Sequence, residues 1–106
     1  MIVYRHALTT DSNGISNLIL STQKQFSVEI FSPEGIRLLE QLCSPKAIVH
    51  YIEIGHLYLV AEENGILVGV IGIKNNCHIN HNFVSAQHHG QGISSQLWQL
   101  AKEECI

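Results

Sequence analysis

The sequence predicts one α/β domain with the element order β-α-α-β-β-β-α and a mostly antiparallel sheet. Three observations support this fold class. Apolar and polar residues alternate over Ile2 to His6 and again over His56 to Glu62, as they do in half-buried strands. Proline-marked helix starts lie between these two strands. The dipeptide Asn64-Gly65, which tolerates the positive φ of a tight β-hairpin turn, joins the second strand to the third.

Capping residues predict the helices that follow the first strand. Ser32-Pro33-Glu34 combines a capping serine, a proline at the first helical position and an acid in the first turn. Ser44-Pro45 repeats the start signal and predicts a further short helix. The first helix is expected to begin at Asp11 or Ser12 and to end at about Gln25, and the last of this region ends at about Ile52.

Two further strands are predicted after the hairpin turn. Ile66 to Lys74 is a nearly continuous apolar run, which is typical of a strand covered on both faces. Gly69 within it predicts the close approach of another backbone or a helix. Cys77 to Val84 is expected to form the fourth strand.

Composition narrows the possible functions. The 106 residues suffice for one small domain, and the net charge of -3, without a Lys/Arg cluster, argues against a nucleic-acid partner. No apolar run reaches the length of a membrane span, so no membrane partner is expected. Three cysteines without a secretory signal predict free thiols in a reducing cytoplasm. No metal site is expected, since the pair His78 and His81 would point to opposite faces of a strand.

The stretch from Phe83 to Ile106 contains the clearest functional signal. It reads as the end of a strand, a short loop with Gly90 and Gly92, and an amphipathic helix. Glycine lets backbone N–H groups approach a ligand closely. The first N–H groups of a helix lack intrahelical acceptors, and the helix dipole favours an anion there. The stretch therefore predicts a phosphate-binding turn.

These residues resemble the acetyl-coenzyme A loop of the GNAT superfamily of N-acetyltransferases. That family's pattern is Gln or Arg, two residues, Gly, one residue, then Gly or Ala, after a strand that ends in an apolar pair. Here Phe83-Val84 is the apolar pair and Gly90-Gln91-Gly92-Ile93 is the core of the loop. His89 stands where Gln or Arg is expected, and Ser94 stands where Gly or Ala is expected.

The resemblance implies acetyl-coenzyme A (acetyl-CoA), or coenzyme A (CoA), as the cofactor and an amine of unknown identity as the acceptor. It implies that a backbone N–H near the end of the fourth strand polarises the thioester and that the loop amides hold the pyrophosphate. A carboxylate on the fourth strand often accepts the amine proton. This chain has none there, and His81 is the candidate base. The implied cofactor-binding residues are Phe83, Val84, Ser85, His89, Gly90, Gln91, Gly92, Ile93, Ser94 and Ser95.

Family members usually continue past this helix with further strands, another helix and a tyrosine that protonates the leaving thiolate. Because the sequence stops at Ile106, we expect a C-terminally short version of the domain over residues 1–106. Two functional hypotheses follow. The chain is an acetyl-CoA-dependent N-acetyltransferase, or it is a degenerate or truncated domain without catalysis that dimerises or binds CoA or another small molecule. The edge of the fourth strand predicts a homodimer.

Overall fold

The computed structural model describes residues 1–27, 33–74, 78–85, 88 and 90–104, and it leaves the side chains of residues 23–27, 36, 39 and 78–81 undescribed. Within these ranges the chain forms an α/β domain, which confirms the predicted fold class. The elements in order are β1 (Ile2–His6), a 3-10 turn (Thr9–Asp11), α1 (Ser12–Ser27), α2 (Pro33–Leu42), α3 (Pro45–Glu53), β2 (Leu57–Glu63), β3 (Ile66–Lys74), β4 (His78–Val84) and α4 (Ile93–Glu104).

Three α-helices lie between β1 and β2, where the predicted order has two. The start signals in the sequence mark all three helices, and the predicted order left one of them out. Ser44 has extended backbone, and its side chain accepts a hydrogen bond from the Ala47 N–H at 3.2 Å. Pro45 occupies the first helical position, where its missing N–H costs nothing. Because a proline ring disfavours helical backbone in the residue before it, α2 ends at Leu42 and α3 begins as a separate helix. The cap predicted at Ser32 lies outside the described residues.

The four strands form one antiparallel sheet in the order β1-β2-β3-β4. Asn64 and Gly65 join β2 to β3 with φ values of 55° and 81°, so the predicted hairpin turn is confirmed. The β2–β3 register shifts after the pair Ala61 and Gly69, because the next pair is Glu62 and Leu67. Val68 is therefore the extra residue of a β-bulge in β3.

Both faces of the sheet are covered by helices. On one face α4 packs on β2, β3 and β4, and on the other face α1 and α3 pack on β2 and β3. The middle of β3 contributes to both cores, since Ile71 lies in the first and Val70 in the second. The prediction of a strand covered on both faces is therefore confirmed. Among the described residues, none of the helices has the length and apolar character needed to cross a bilayer.

An ion pair anchors the start of α1 to the sheet. The Arg5 guanidinium on β1 donates to both carboxylate oxygens of Asp11, at 2.8 and 3.0 Å, and to Glu62 on β2 at 3.3 Å. The Leu8 N–H donates to the same Asp11 carboxylate at 2.8 Å. The hydrogen bond from Arg5 holds the pKa of Asp11 below its ordinary value.

Candidate functional site

A groove of about 370 Å³ lies between the end of β4 and the first turn of α4. It brings together six of the predicted cofactor-binding residues and adds two that were not predicted. The predicted ones are Val84, Gly90, Gly92, Ile93, Ser94 and Ser95, and the added ones are Asn82 and His88. A segment that looked like a phosphate-binding turn in the sequence therefore has the concave shape that a ligand requires.

The two loop glycines adopt backbone conformations that other residues rarely adopt. Gly90 has φ 82° and Gly92 has φ 77°. A Cβ built at either position meets no described atom within 4 Å. Both glycines are therefore required for the backbone conformation of the loop, and no described side chain fills the space where their Cβ atoms would lie.

The first turn of α4 carries the electrostatic character of an anion site. The Gln96 N–H donates to the Gly92 carbonyl at 3.0 Å, which is the first hydrogen bond of the helical ladder. The amides of Ile93, Ser94 and Ser95 precede that bond, so they have no intrahelical acceptor. The first turn contains no acidic residue, and the last turn carries Lys102. The positive end of the helix dipole thus points toward the groove without a neutralising carboxylate in its own first turn.

Packing on the sheet sets the position of α4. Ile93, Leu97 and Ala101, spaced four residues apart, are buried against the sheet. Beneath them lies Gly69 on β3, where an added Cβ would be 2.9 Å from Ile93 Cγ2. The close approach predicted for Gly69 is therefore confirmed, and the partner is the α4 helix.

Asn82 ties the helix start to β4. The Ser94 hydroxyl donates to Asn82 Oδ1 at 3.0 Å. The Ser94 hydroxyl, which was predicted to contact the cofactor, thus donates its proton to the neighbouring strand. Strand alternation places Asn82 on the same face as Val84, so the sequence contained a signal for its position. Nothing in the sequence pointed to its partner.

His88 ties the loop to the β2–β3 hairpin. Its Nε2 lies 3.2 Å from Oε1 of Glu63, the last residue of β2. Its backbone N–H donates to the Ser85 carbonyl at 2.9 Å. Sequence reasoning missed this residue, because its partner is 25 residues away in the chain.

Other predicted site residues lie elsewhere or outside the described part. Phe83 packs with the core on the α1 side, and Ser85 lines a second cavity of about 530 Å³ beside α1. Gln91 is exposed. The backbone roles assigned to these three stay predictions. His89 and the side chain of His81 lie outside the described residues, although the His81 backbone pairs with Gly72 in β3.

The remaining titratable groups offer little alternative chemistry. Within the described ranges no cluster of three or more His, Cys, Asp or Glu side chains could hold a metal ion. Cys43 is a free thiol in the core, and burial raises its pKa. Cys77 and Cys105, also predicted to be free, lie outside the described residues.

Three solved structures share the fold over nearly the whole chain. PaiA N-acetyltransferase from Thermoplasma acidophilum, in complex with coenzyme A, is 18% identical with a TM-score of 0.88, over 99% of this chain and 72% of that one. A GNAT acetyltransferase from Staphylococcus aureus Mu50 is 21% identical with a TM-score of 0.76, over 99% and 66%. A GNAT acetyltransferase from Brucella melitensis, in complex with acetyl-CoA, is 16% identical with a TM-score of 0.71, over 99% and 68%.

The chain thus spans between 66% and 72% of the length of these three proteins. No curated protein sequence matches it. A family model described as "Acetyltransferase (GNAT) domain" matches residues 27–106, which include the groove and the whole of α4. The match covers most of the sequence, and the chain therefore belongs to the GNAT acetyltransferase family.

Proposed function

We propose that this chain binds acetyl-CoA, or CoA, with the diphosphate of the cofactor at the start of α4, and that it transfers the acetyl group to an amine. One observation carries the proposal: the groove is lined by Gly90, Gly92 and the first turn of α4, whose amides have no intrahelical acceptors. The relatives crystallised with CoA and acetyl-CoA, which share this fold, support the choice of cofactor.

The backbone supplies most of the proposed chemistry. The amides from His89 to Ser95 hold the diphosphate, and a backbone N–H between Phe83 and Ser85 polarises the thioester carbonyl. The amine nitrogen forms a bond to the carbonyl carbon, and the bond from that carbon to sulfur breaks. The amine proton passes to a base, for which His81 is the candidate, and the departing thiolate takes up a proton from solvent.

Calorimetric titration of the purified protein with acetyl-CoA and CoA tests the binding step. We expect saturable binding of both ligands. Gly92→Ala should weaken it about tenfold, because the new Cβ strains the loop and projects into the space beside the amides. Gly55→Ala is the matched control, since Gly55 also has a positive φ of 99° and open space around it but follows α3, away from the groove. The control should bind like the wild type.

Two results would contradict the proposal. Wild-type protein that shows no saturable response at millimolar acetyl-CoA does not use this cofactor. Equal losses of affinity in Gly92→Ala and Gly55→Ala would mean that the loss follows backbone strain in general and not the groove. Release of free CoA thiol in the presence of a panel of amines then separates an active transferase from a protein that only binds the cofactor.

A second candidate function is association without catalysis. The sheet order places β4 at an edge of the four-stranded sheet, and edge strands are where a second chain can add to a sheet. In this version two copies pair along β4 as a homodimer. Light scattering with and without CoA measures the mass directly, and a monomer under both conditions would contradict the dimer. The homodimer and the cytoplasmic location stay predictions from the sequence.

A further inference from the structure

The contact between His88 and Glu63 connects the groove to a part of the sheet that does not line it. His88 lines the groove, and its side chain is only 16% exposed. Glu63 ends β2, pairs with Ile66 across the hairpin and does not line the groove. The amino terminus of the chain lies 3.9 Å from the other carboxylate oxygen of Glu63. One carboxylate oxygen of Glu63 thus faces the imidazole, and the other faces the exposed amino terminus.

The geometry of the contact identifies which ring nitrogen of His88 is the donor. His88 Nδ1 is buried and has no hydrogen-bond partner among the described residues. An ionised carboxylate can only accept a hydrogen bond, so Nε2 is the donor in the contact with Glu63. One directed hydrogen bond therefore fixes the ring against the end of β2.

The loop needs such a fixed point. Gly90 and Gly92 give its backbone conformational freedom. If the free protein does not order the loop, the entropy lost in ordering it weakens ligand binding. Beyond the glycines, Ser94 is held by Asn82. Before them, the side-chain contact that the structure describes is His88 with Glu63. The two contacts hold the glycine segment from both ends, one to β4 and the other to the hairpin.

We infer that Glu63 is a positioning residue for cofactor binding: through His88 it holds the loop between β4 and α4 in the shape that receives the diphosphate. This inference rests on the proposed function, because CoA affinity is one of its measures. Glu63 acts without touching the ligand, and its contribution is the preformed path of the loop backbone.

The sign of the mutational effect separates positioning from simple electrostatics. A carboxylate near an anion site repels the anion, so electrostatics alone predicts that removing Glu63 strengthens CoA binding. Positioning predicts the opposite, since a loop released from the hairpin must be ordered when the ligand binds. A loss of affinity after removal of a negative charge is therefore a result that repulsion does not explain.

The experiment compares three variants by calorimetry with CoA. Glu63→Ala should weaken binding roughly fivefold, in line with the loss of one partly exposed hydrogen bond to a charged group. Glu63→Gln should restore most of the affinity, because its amide oxygen still accepts from His88 Nε2. Glu104→Ala is the matched control: Glu104 lies 2.9 Å from His6 Nε2 in the same kind of pair, at the far end of α4, and its removal should leave CoA binding unchanged.

A second measurement does not depend on the ligand. Hydrogen exchange of the Gly90 and Gly92 amides in ligand-free protein should be faster in Glu63→Ala than in wild type, and unchanged in Glu63→Gln and Glu104→Ala. If wild-type protein binds CoA and Glu63→Ala binds it equally well or more tightly, the inference is wrong. If wild-type protein does not bind CoA, the proposed function fails, and the exchange rates alone decide whether the pair orders the loop: unchanged rates in Glu63→Ala would overturn it.

Discussion

Replacing Gly69 with alanine is expected to destabilise the protein, although glycine-to-alanine changes in a strand usually do the reverse. Gly69 does not have a positive φ, so alanine fits its backbone conformation without strain. In open space the change would stabilise the fold by about 0.4–1 kcal/mol, because alanine restricts the unfolded chain. Gly69 is not in open space, and the contact with α4 reverses the sign.

The size of the effect follows from the distances above Gly69. The new Cβ would lie 2.9 Å from Ile93 Cγ2 and 3.2 Å from Leu97 Cδ1. The Ile93 methyl branches directly from its Cβ and has little rotamer freedom in a helix, so α4 itself must shift. Overpacking of this kind costs about 1–3 kcal/mol. After the gain from the unfolded state is subtracted, the middle of these ranges leaves a net loss of about 1 kcal/mol.

Urea unfolding followed by tryptophan fluorescence measures this loss. The single tryptophan, Trp98, lies on α4 and reports on the helix that must move. Gly14→Ala on α1 is the matched control, since its new Cβ would lie 3.0 Å from the mobile end of the Leu67 side chain, which can turn aside. Helix propensity there should make the control neutral or up to about 1 kcal/mol more stable. A Gly69→Ala protein as stable as the wild type would refute the argument that α4 rests on this glycine.

Two further predictions concern stability. Asp11→Asn should cost about 1–2 kcal/mol above pH 5, and the difference from wild type should shrink as the pH falls below about 4, because the folded-state pKa of Asp11 lies below its ordinary value of 3.8 and protonation removes the stabilising charge. Urea midpoints of both proteins from pH 2 to 7 test this, and a difference independent of pH would contradict it. Ser44→Ala should cost about 1 kcal/mol by removing the cap of α3, whereas Ser21→Ala, inside α1, should change thermal stability little. Equal melting temperatures for Ser44→Ala and wild type would show that the cap contributes nothing.

The sequence predicted those features whose cause is local. Asn64-Gly65 specifies a hairpin turn through its own backbone preferences. Ser44-Pro45 starts a helix through a hydrogen bond between residues only three positions apart in the chain. The glycines of the groove were found for the same reason, because Gly90 and Gly92 belong to one short motif. The apolar run of β3 also predicted cover on both faces, since a strand with apolar residues on both faces must be buried on both.

The features that were missed depend on which distant residues meet. The residues next to His88 in the sequence indicate no role for it. Glu63 comes within 3.2 Å of His88 only through the register of the sheet. Asn82 was predicted to lie in the fourth strand but not to contact Ser94, because the distance between β4 and α4 depends on the packing beneath the helix. Local patterns specify which backbone segment can bind an anion, whereas the side chains that hold that segment are set by tertiary structure.

Two adjacent residues of β3 fix both walls of the groove. The Val68 carbonyl, at the bulge, accepts the Ser85 N–H at 2.8 Å and so holds the chain where it leaves β4. The next residue, Gly69, has no side chain, which allows α4 to pack directly against β3. The distance between the end of β4 and the first turn of α4 is therefore set from one point on a strand that contributes none of the described lining residues. If the chain binds CoA as proposed, a change in the shape of β3 at this point should alter the affinity, because a shift of the bulge moves both walls of the groove at once.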